Sequence, residues 1–488
     1  MSVDPQTRDS GVSRSSGQVL LAIMALAVFV SVLNNSMINV AIPRIRADLA
    51  VSASAAGWII TAYALVFAVG TALYGRISDF ISLRKTFLVA LLVFAAGSLM
   101  GALAPSFAWL VAGRVMQAAG AAAIPALALG SVTRLFPPGE RGQAFGTVIS
   151  SVGIGAATGP IVGGVVVSLG GWPWLFLGTL MLLILLATAT WLRMPDTAAA
   201  DRAKGGLRHF GLMGALLISL SAAALFLAVT GLQQAGPDSP RTWGPLIVAI
   251  AAALGFAIHI RHSATPFAPP ALFRNRTYLS ACGVAVFAQA AFLGGGLFLI
   301  PLLMIEQHEL SPLGAGMVLA PSALAIFLFS RMAGRLSDRI GPRRVLQGSL
   351  ALVLMGLLFL SIQTDSPPPV IAFGLLVMGI GYAGVMSPNA NAASFALTRE
   401  IAGIGSGIYQ LFFFMGAGLG ASTVGAFLSH RQEVATAALN PLYTAAASAI
   451  PYSDTFLLAA ASTVIALLFT LGIGARPRKE TGTPDIER

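Results

Sequence analysis

Gly75-Arg76-Ile77-Ser78-Asp79 and, in the second half of the chain, Gly334-Arg335-Leu336-Ser337-Asp338-Arg339-Ile340-Gly341-Pro342-Arg343-Arg344 are two copies of one pattern. The first follows the second long apolar run of the chain and the other follows the tenth. Two six-helix halves would place this loop after the second helix of each half. The runs at 210–260 then become a helix pair inserted between the halves, an arrangement of parallel repeats known from membrane transporters.

Composition agrees. Of 488 residues, 56% are hydrophobic and only 10% are charged, whereas a soluble domain carries roughly 25% charged residues. A soluble protein is excluded. Fourteen apolar runs lie between 18 and 474, each near the ~20 residues that one helical crossing requires. The fold class expected is an all-α polytopic membrane protein. Its parts are a tail at 1–17, a six-helix bundle at 18–193, a loop and inserted pair at 194–261, a second six-helix bundle at 262–475 and a tail at 476–488. The first run, 18–42, is too long for a cleaved signal.

The net charge of +11 first suggests nucleic acid, but the charges lie in short segments between apolar runs and no basic domain exists. With both termini in the cytoplasm, all but five of the 29 Lys/Arg fall on the cytoplasmic side. The exceptions are Arg44, Arg46, Arg241 and Arg431 outside, and Arg114 within a span. An odd number of spans would scramble that asymmetry. A single cysteine, Cys282, excludes an intramolecular disulfide.

On these residues the chain resembles the major facilitator superfamily, and more narrowly its fourteen-helix drug–proton antiporters. The loop pattern G-x-L-x-D-x-x-G-x-R-K/R is complete at 334–344, and carries Ile77 and Ser82 as departures in the first copy, which runs through Arg84 and Lys85. Arg114-Val-Met-Gln117-Ala-Ala-Gly120 is similar to the family's fourth-helix R-x-x-Q-G-x-G. Gly155-Ala-Ala-Thr-Gly159-Pro160-Ile-Val-Gly163-Gly164 matches the antiporter pattern of the fifth helix. Leu33-Asn34-Asn35-Ser36-Met37-Ile38-Asn39 resembles the first-helix signature. Tyr63, Gly75 and the run from Gln117 to Pro125 look most like the Gram-positive tetracycline/metal–proton exporters. The resemblance implies alternating-access export of small amphipathic compounds, tetracycline-like ones among them, from a bacterial cytoplasmic membrane, by a monomer with protons as coupling ion and no cofactor or metal.

Physical chemistry gives these residues roles of their own. Glycines at 155, 159 and 163 line one helix face and admit a close neighbour, and Pro160 bends the helix. With Gly164 they read as a hinge, or as plain tight packing. Gly75, Asp79, Arg84 and Lys85, with Gly334, Asp338, Arg339 and Gly341, read as a gating latch: a glycine for a sharp turn and an aspartate near a helix N-terminus. Arg84 and Lys85 would pair with Asp79 or with lipid phosphate. Arg114 is the only ionisable side chain well inside a span, ~10 Å deep by helical rise. With Gln117, Asn34, Asn35 and Asn39 it would form one polar cluster, unless it snorkels to the interface. Tyr63, Gln289, Asn389, Tyr409 and Gln410 complete the candidate pathway, and Phe412, Phe413 and Phe414 would give it an apolar wall.

One element is missing. Proton-coupled exporters use a buried acid, and the positions where the resemblance expects one are Asn34 or Asn35, and Ala156. All eighteen acidic residues fall in tails, loops or helix ends. Coupling would then use an interface acid such as Asp79, Glu306 or Asp338. Otherwise the chain carries a neutral or anionic metabolite without protons, as a facilitative carrier or importer. A non-transporting receptor would need a filled apolar interior, which Arg114 and the asparagines oppose. No metal-spaced His/Cys/carboxylate cluster, nucleophile–base pair or phosphate loop suggests an enzyme.

Overall fold

The structure, a computed structural model, describes residues 14–194, 210–236, 238–398, 400–434, 438–441, 443 and 447–474. Among these there is no strand, and fourteen helices are long and apolar enough to cross a membrane. The first bundle contains α1 (Gly17–Asp48), α2 (Ala55–Ile77), α3 (Leu83–Ala102), α4 (Phe107–Leu135), α5 (Arg141–Gly170) and α6 (Pro173–Arg193). Then come α7 (Leu212–Leu232) and α8 (Pro240–His262). The second bundle contains α9 (Arg276–Glu306), α10 (Gly314–Ile340), α11 (Pro342–Ile362), α12 (Pro368–Ser394), α13 (Ala402–Val434) and α14 (Ile450–Gly472). All fourteen runs read from the sequence are helices.

Two helices are interrupted where the sequence demands it. In α4 the helix breaks at Ala122, because Pro125 has no N–H to give the carbonyl of Ala121. In α9 a π-helical stretch runs over Phe292–Phe298. Its Gly294-Gly295-Gly296 core lacks the side chains that would hold a regular helix rigid, and wide turns of this kind recur at functional sites.

Helix–helix contacts rest on small residues, as expected where lipid is as apolar as the protein. The α3–α4 contact is made by Gly97, Gly101, Gly113 and Gly120. A methyl at Gly97 would meet the Gly113 carbonyl at 2.8 Å, and one at Gly120 would collide with the backbone of Ala90 and Phe94. The inserted pair packs on itself, and α7 leans on α2 and α13 through Ala222, Ala68, Ala72 and Leu411. It therefore flanks the seam between the bundles without entering it.

The bundles meet along α5–α10 and α2–α13. Gly142, Gly146 and Gly153 of α5 lie against Gly334, Ser330 and Ala323 of α10. Further along, the same stripes part. Pro160 is exposed and a side chain at Gly164 would meet open space, while Gly316 and Ala320 of α10 are exposed. The molecule is thus shut at the end carrying Asp79 and Asp338, the charged end, and parted at the other.

Replacing Gly120 with valine should therefore lower the thermal midpoint of the purified protein by several degrees. Overpacking a tight contact costs about 1–3 kcal/mol. Exposed Gly139, which has nothing within 4 Å, should tolerate alanine without a shift.

Candidate functional site

Arg114 sits on α4 with no exposed surface, so it does not snorkel. Its Nη1 donates to Asn34 Oδ1 at 3.1 Å and to Gln117 Oε1 at 3.0 Å. Its Nη2 donates to Asn35 Oδ1 at 3.2 Å, and Nε reaches the Ile59 carbonyl at 3.4 Å. The guanidinium also lies over the Tyr63 ring, 4.1 Å from its centroid, where the ring's negative face attracts a cation. A guanidinium has five N–H donors, and the fifth, on Nη2, finds no acceptor among the described residues.

Neighbours fix these partners in turn. Asn34 donates to Thr179 Oγ1 at 3.0 Å, which aims its carbonyl at Arg114, and Gln117 donates to Ser98 Oγ at 2.8 Å. Thr179 and Ser98 were not singled out from the sequence, because only packing brings α6 and α3 to this point. Every contact of Arg114 is to a neutral group. Asn35 is partly exposed and Asn39, one turn on, is exposed and outside the cluster. The expected Asn35/Asn39 pair therefore divides: Asn35 touches the guanidinium, and Asn39 stands apart from it.

From Tyr63 an aromatic column continues to the seam. Tyr63 stacks on Phe67 at 5.6 Å, and Phe67 meets Phe414 of α13 edge-on at 4.7 Å, with Phe413 beside it. In the second bundle Asn389 donates to the Tyr409 hydroxyl at 3.0 Å and to the Ala281 carbonyl at 2.9 Å. Gln289 and Gln410 are buried nearby on α9 and α13. Tyr382 stacks flat on Phe292 at 3.7 Å, at the start of the π-helical stretch. Gln289 Oε1, Asn389 Oδ1 and the Tyr382 hydroxyl are buried with no hydrogen-bond partner among the described residues. Such groups cost free energy until something pairs with them.

The latch differs from its sequence reading in three ways. Gly75 and Gly334 are helical and serve contact, not turning: Gly75 touches Gly403 and Gly407 of α13, and Gly334 touches Gly142 of α5. The second copy stays helical to Ile340. It reverses on Gly341 alone (φ 89°), with Pro342 opening α11. The first copy has Ser82 in place of that glycine and needs the longer turn 78–82. Third, Asp79 pairs with Arg134 at 2.5 Å and Arg76 at 3.9 Å, not with Arg84 or Lys85. Arg84 instead bonds the Trp191 carbonyl and covers that ring, and Lys85 makes no contact with Asp79.

Each aspartate caps a helix of the other bundle. Asp338 accepts from Gly142 N and Gln143 N at 2.9 Å each, the first free amides of α5, and from Asn391 Nδ2 at 3.1 Å. Asp79 accepts from Ile404 N at 3.2 Å, in the first turn of α13. A carboxylate at a helix N-terminus satisfies unpaired N–H groups and meets the positive end of the helix dipole. Gly142 and Gly403 let the carboxylates approach, since a methyl at either would collide with them.

Gly155, Gly159 and Gly163 pack on Phe29, Ser36 and Met37 of α1, within the first bundle. Pro160 and Gly164 instead face the parted end. Acidic residues inside the described spans, such as Asp48, Glu306, Asp338 and Asp454, lie within five residues of a helix end. Asp454 is buried and paired with Arg431, which ties α13 to α14.

The sequence pattern of the Major Facilitator Superfamily matches residues 24–421 and 282–487. The chain is 30% identical over 442 residues to the tetracenomycin C resistance and export protein of Streptomyces glaucescens, covering 88% of this chain and 81% of that one. It is 27% identical over 423 residues to the riboflavin transporter RibZ of Clostridioides difficile (strain 630), covering 85% and 90%. The human organic anion transporter MFSD10 (TETRAN) shares the fold, with a TM-score of 0.63 at 17% identity, over 92% of this chain and 99% of that one. The chain belongs to the Major Facilitator Superfamily, and relatives of similar identity include proteins named for drug resistance and export.

Burial pushes the Asp79 carboxyl up from 3.8 to about 6, against the opposing pull of Arg134, Arg76 and the α13 amides. The shut state then binds the proton more tightly than a parted state in which the carboxyl meets water. Its advantage is full below 3.8 and is lost as pH rises to about 6. Spin labels at Ile81 and Glu400 should show the separated population growing across that window and flat above it. Asp79→Asn should flatten the response.

Proposed function

We propose that the protein is a secondary-active exporter of small amphipathic compounds, working by alternating access from a bacterial cytoplasmic membrane as a monomer. The bundles at 18–193 and 262–475 rock about α5–α10 and α2–α13, with the segment 194–261 as a passive flank. With the termini in the cytoplasm, as the distribution of Lys and Arg favours, the charged end is cytoplasmic and the conformation described faces outward.

The observation that carries this reading is the buried guanidinium of Arg114, held only by neutral acceptors, with a free N–H beside partly exposed Asn35. Around it, Tyr63, Phe67 and Phe414 offer flat apolar surface, and Gln289, Asn389 and Tyr409 offer orienting polar groups. A largely apolar site with a few polar groups suits an amphipathic ligand. A solitary cation suits a neutral or anionic polar group better than a cationic one. The tetracenomycin exporter relative supports outward transport.

Proton linkage falls to Asp79, since no acid lies at mid-depth among the described spans. For net coupling, Asp79 takes its proton from the parted, outer end while the charged end is shut and releases it to the cytoplasm when that end opens. The same lack of a mid-depth acid favours a second reading, a proton-independent carrier of a neutral metabolite, and the riboflavin transporter relative is compatible with it.

Inverted vesicles decide between the two. Uptake of fluorescent antibiotics should be driven by an inward-acid gradient and should fall to the passive level when the gradient is collapsed. Undiminished uptake would establish the second reading. Arg114→Ala should abolish resistance in a sensitive bacterium at wild-type expression, and resistance equal to wild type would remove Arg114 from the pathway.

A further inference from the structure

A groove of about 450 Å³ lies between α10, α11 and α12 at the charged end, outside both the pathway and the seam. Its walls are apolar: Phe329 and Met332 from α10, Leu352 from α11 and Ile380 from α12. At its mouth stand Arg335 and Arg339, one helical turn apart on the same face of α10. Both are exposed, and neither makes a hydrogen bond or ion pair among the described residues. Arg339 therefore belongs to this groove and takes no part in the Asp338 cap.

The dimensions fit one kind of occupant. From Arg339 to Phe329 is ten residues of helix, ~15 Å of rise, about half of a ~30 Å hydrocarbon core and so the depth of one leaflet. The apolar walls lie where an acyl chain runs, and the guanidinium pair lies where its phosphate sits. Met332 is 59% exposed and Leu336 is 45% exposed, so the groove opens sideways to the hydrocarbon. Guanidinium groups bind phosphate oxygens in bidentate fashion, and two adjacent uncompensated cations favour a headgroup with net negative charge over a zwitterionic one.

We propose that this groove is a binding site for an anionic phospholipid drawn from the leaflet at the charged end. A lipid there ties the last turns of α10 to α11 and α12. Those turns also present Asp338 to α5, so occupancy favours the conformation with the charged end shut. The site does not depend on which compound the protein carries or on proton linkage.

Native mass spectrometry of the full-length protein, released from nanodiscs of equal phosphatidylglycerol and phosphatidylcholine, tests this. Wild type should retain phosphatidylglycerol preferentially, and the preference should fall roughly fivefold for each guanidinium removed in Arg335→Gln and in Arg339→Gln. Leu352→Trp, which fills the groove and leaves both charges in place, should also reduce retention. Arg193→Gln, a basic residue at the same end on the other bundle, should change nothing. Soluble glycerol phosphate should not displace the lipid, because it lacks the chain. Equal retention of the two lipids by wild type, an Arg193→Gln loss as large as the Arg335→Gln loss, or displacement by glycerol phosphate would each overturn the assignment.

Discussion

Two carboxylates hold the described conformation together, and each belongs to the bundle opposite the helix it caps. Asp338 of the second bundle covers the open amides of α5, and Asp79 of the first covers the open amide of Ile404 in α13. A helix terminus leaves backbone donors that must be satisfied somewhere. Here they are satisfied across the seam, so parting the bundles at this end strips both helices of their caps at once. Hydrophobic attraction between helices is weak inside a membrane. A few polar contacts of this kind can therefore decide which end of the molecule is shut.

The proposed pathway follows from the same economy of charge. A buried arginine ordinarily needs a carboxylate, but Arg114 has four oxygen acceptors and an aromatic face. That arrangement satisfies four of its five donors without cancelling its charge. Its field is left available to a ligand that reaches partly exposed Asn35. The orphaned atoms of Gln289, Asn389 and Tyr382 are the counterpart in the second bundle, beside the π-helical stretch of α9. Buried polar groups without a protein partner are ones that a ligand or water can pair with at a gain.

Much of this was legible in the sequence, for identifiable reasons. Fourteen spans could be read because the bilayer imposes a length on each helix, and the two bundles because the Gly-Arg-x-Ser-Asp pattern recurs after the second and tenth. Arg114 with Gln117 and Asn34 was legible because a lone cation in an apolar run must find partners at its own depth. What could not be read depended on tertiary approach. Arg134 is distant from Asp79 in the chain and carries no local mark of the pairing. Gly75 and Gly334 looked like turn glycines because they stand near a turn, yet their missing side chains serve the opposite bundle. The glycines from 155 to 163 pointed to close packing correctly, but spacing alone cannot say whether the neighbour is α1 or α10. The π-helical stretch of α9 was not anticipated, although its triple glycine at 294–296 stands in the sequence.

The most direct test of reciprocal capping is the distance across α5 and α10 at the parted end, read by electron spin resonance from labels at Ile161 and Met317 in nanodiscs. In the wild type these labels should report mainly a long separation. With Asp79→Ala and Asp338→Ala combined, which remove the capping oxygens, a short-separation population should appear as the charged end loosens and the opposite end closes. An unchanged distribution in the double variant would contradict the account.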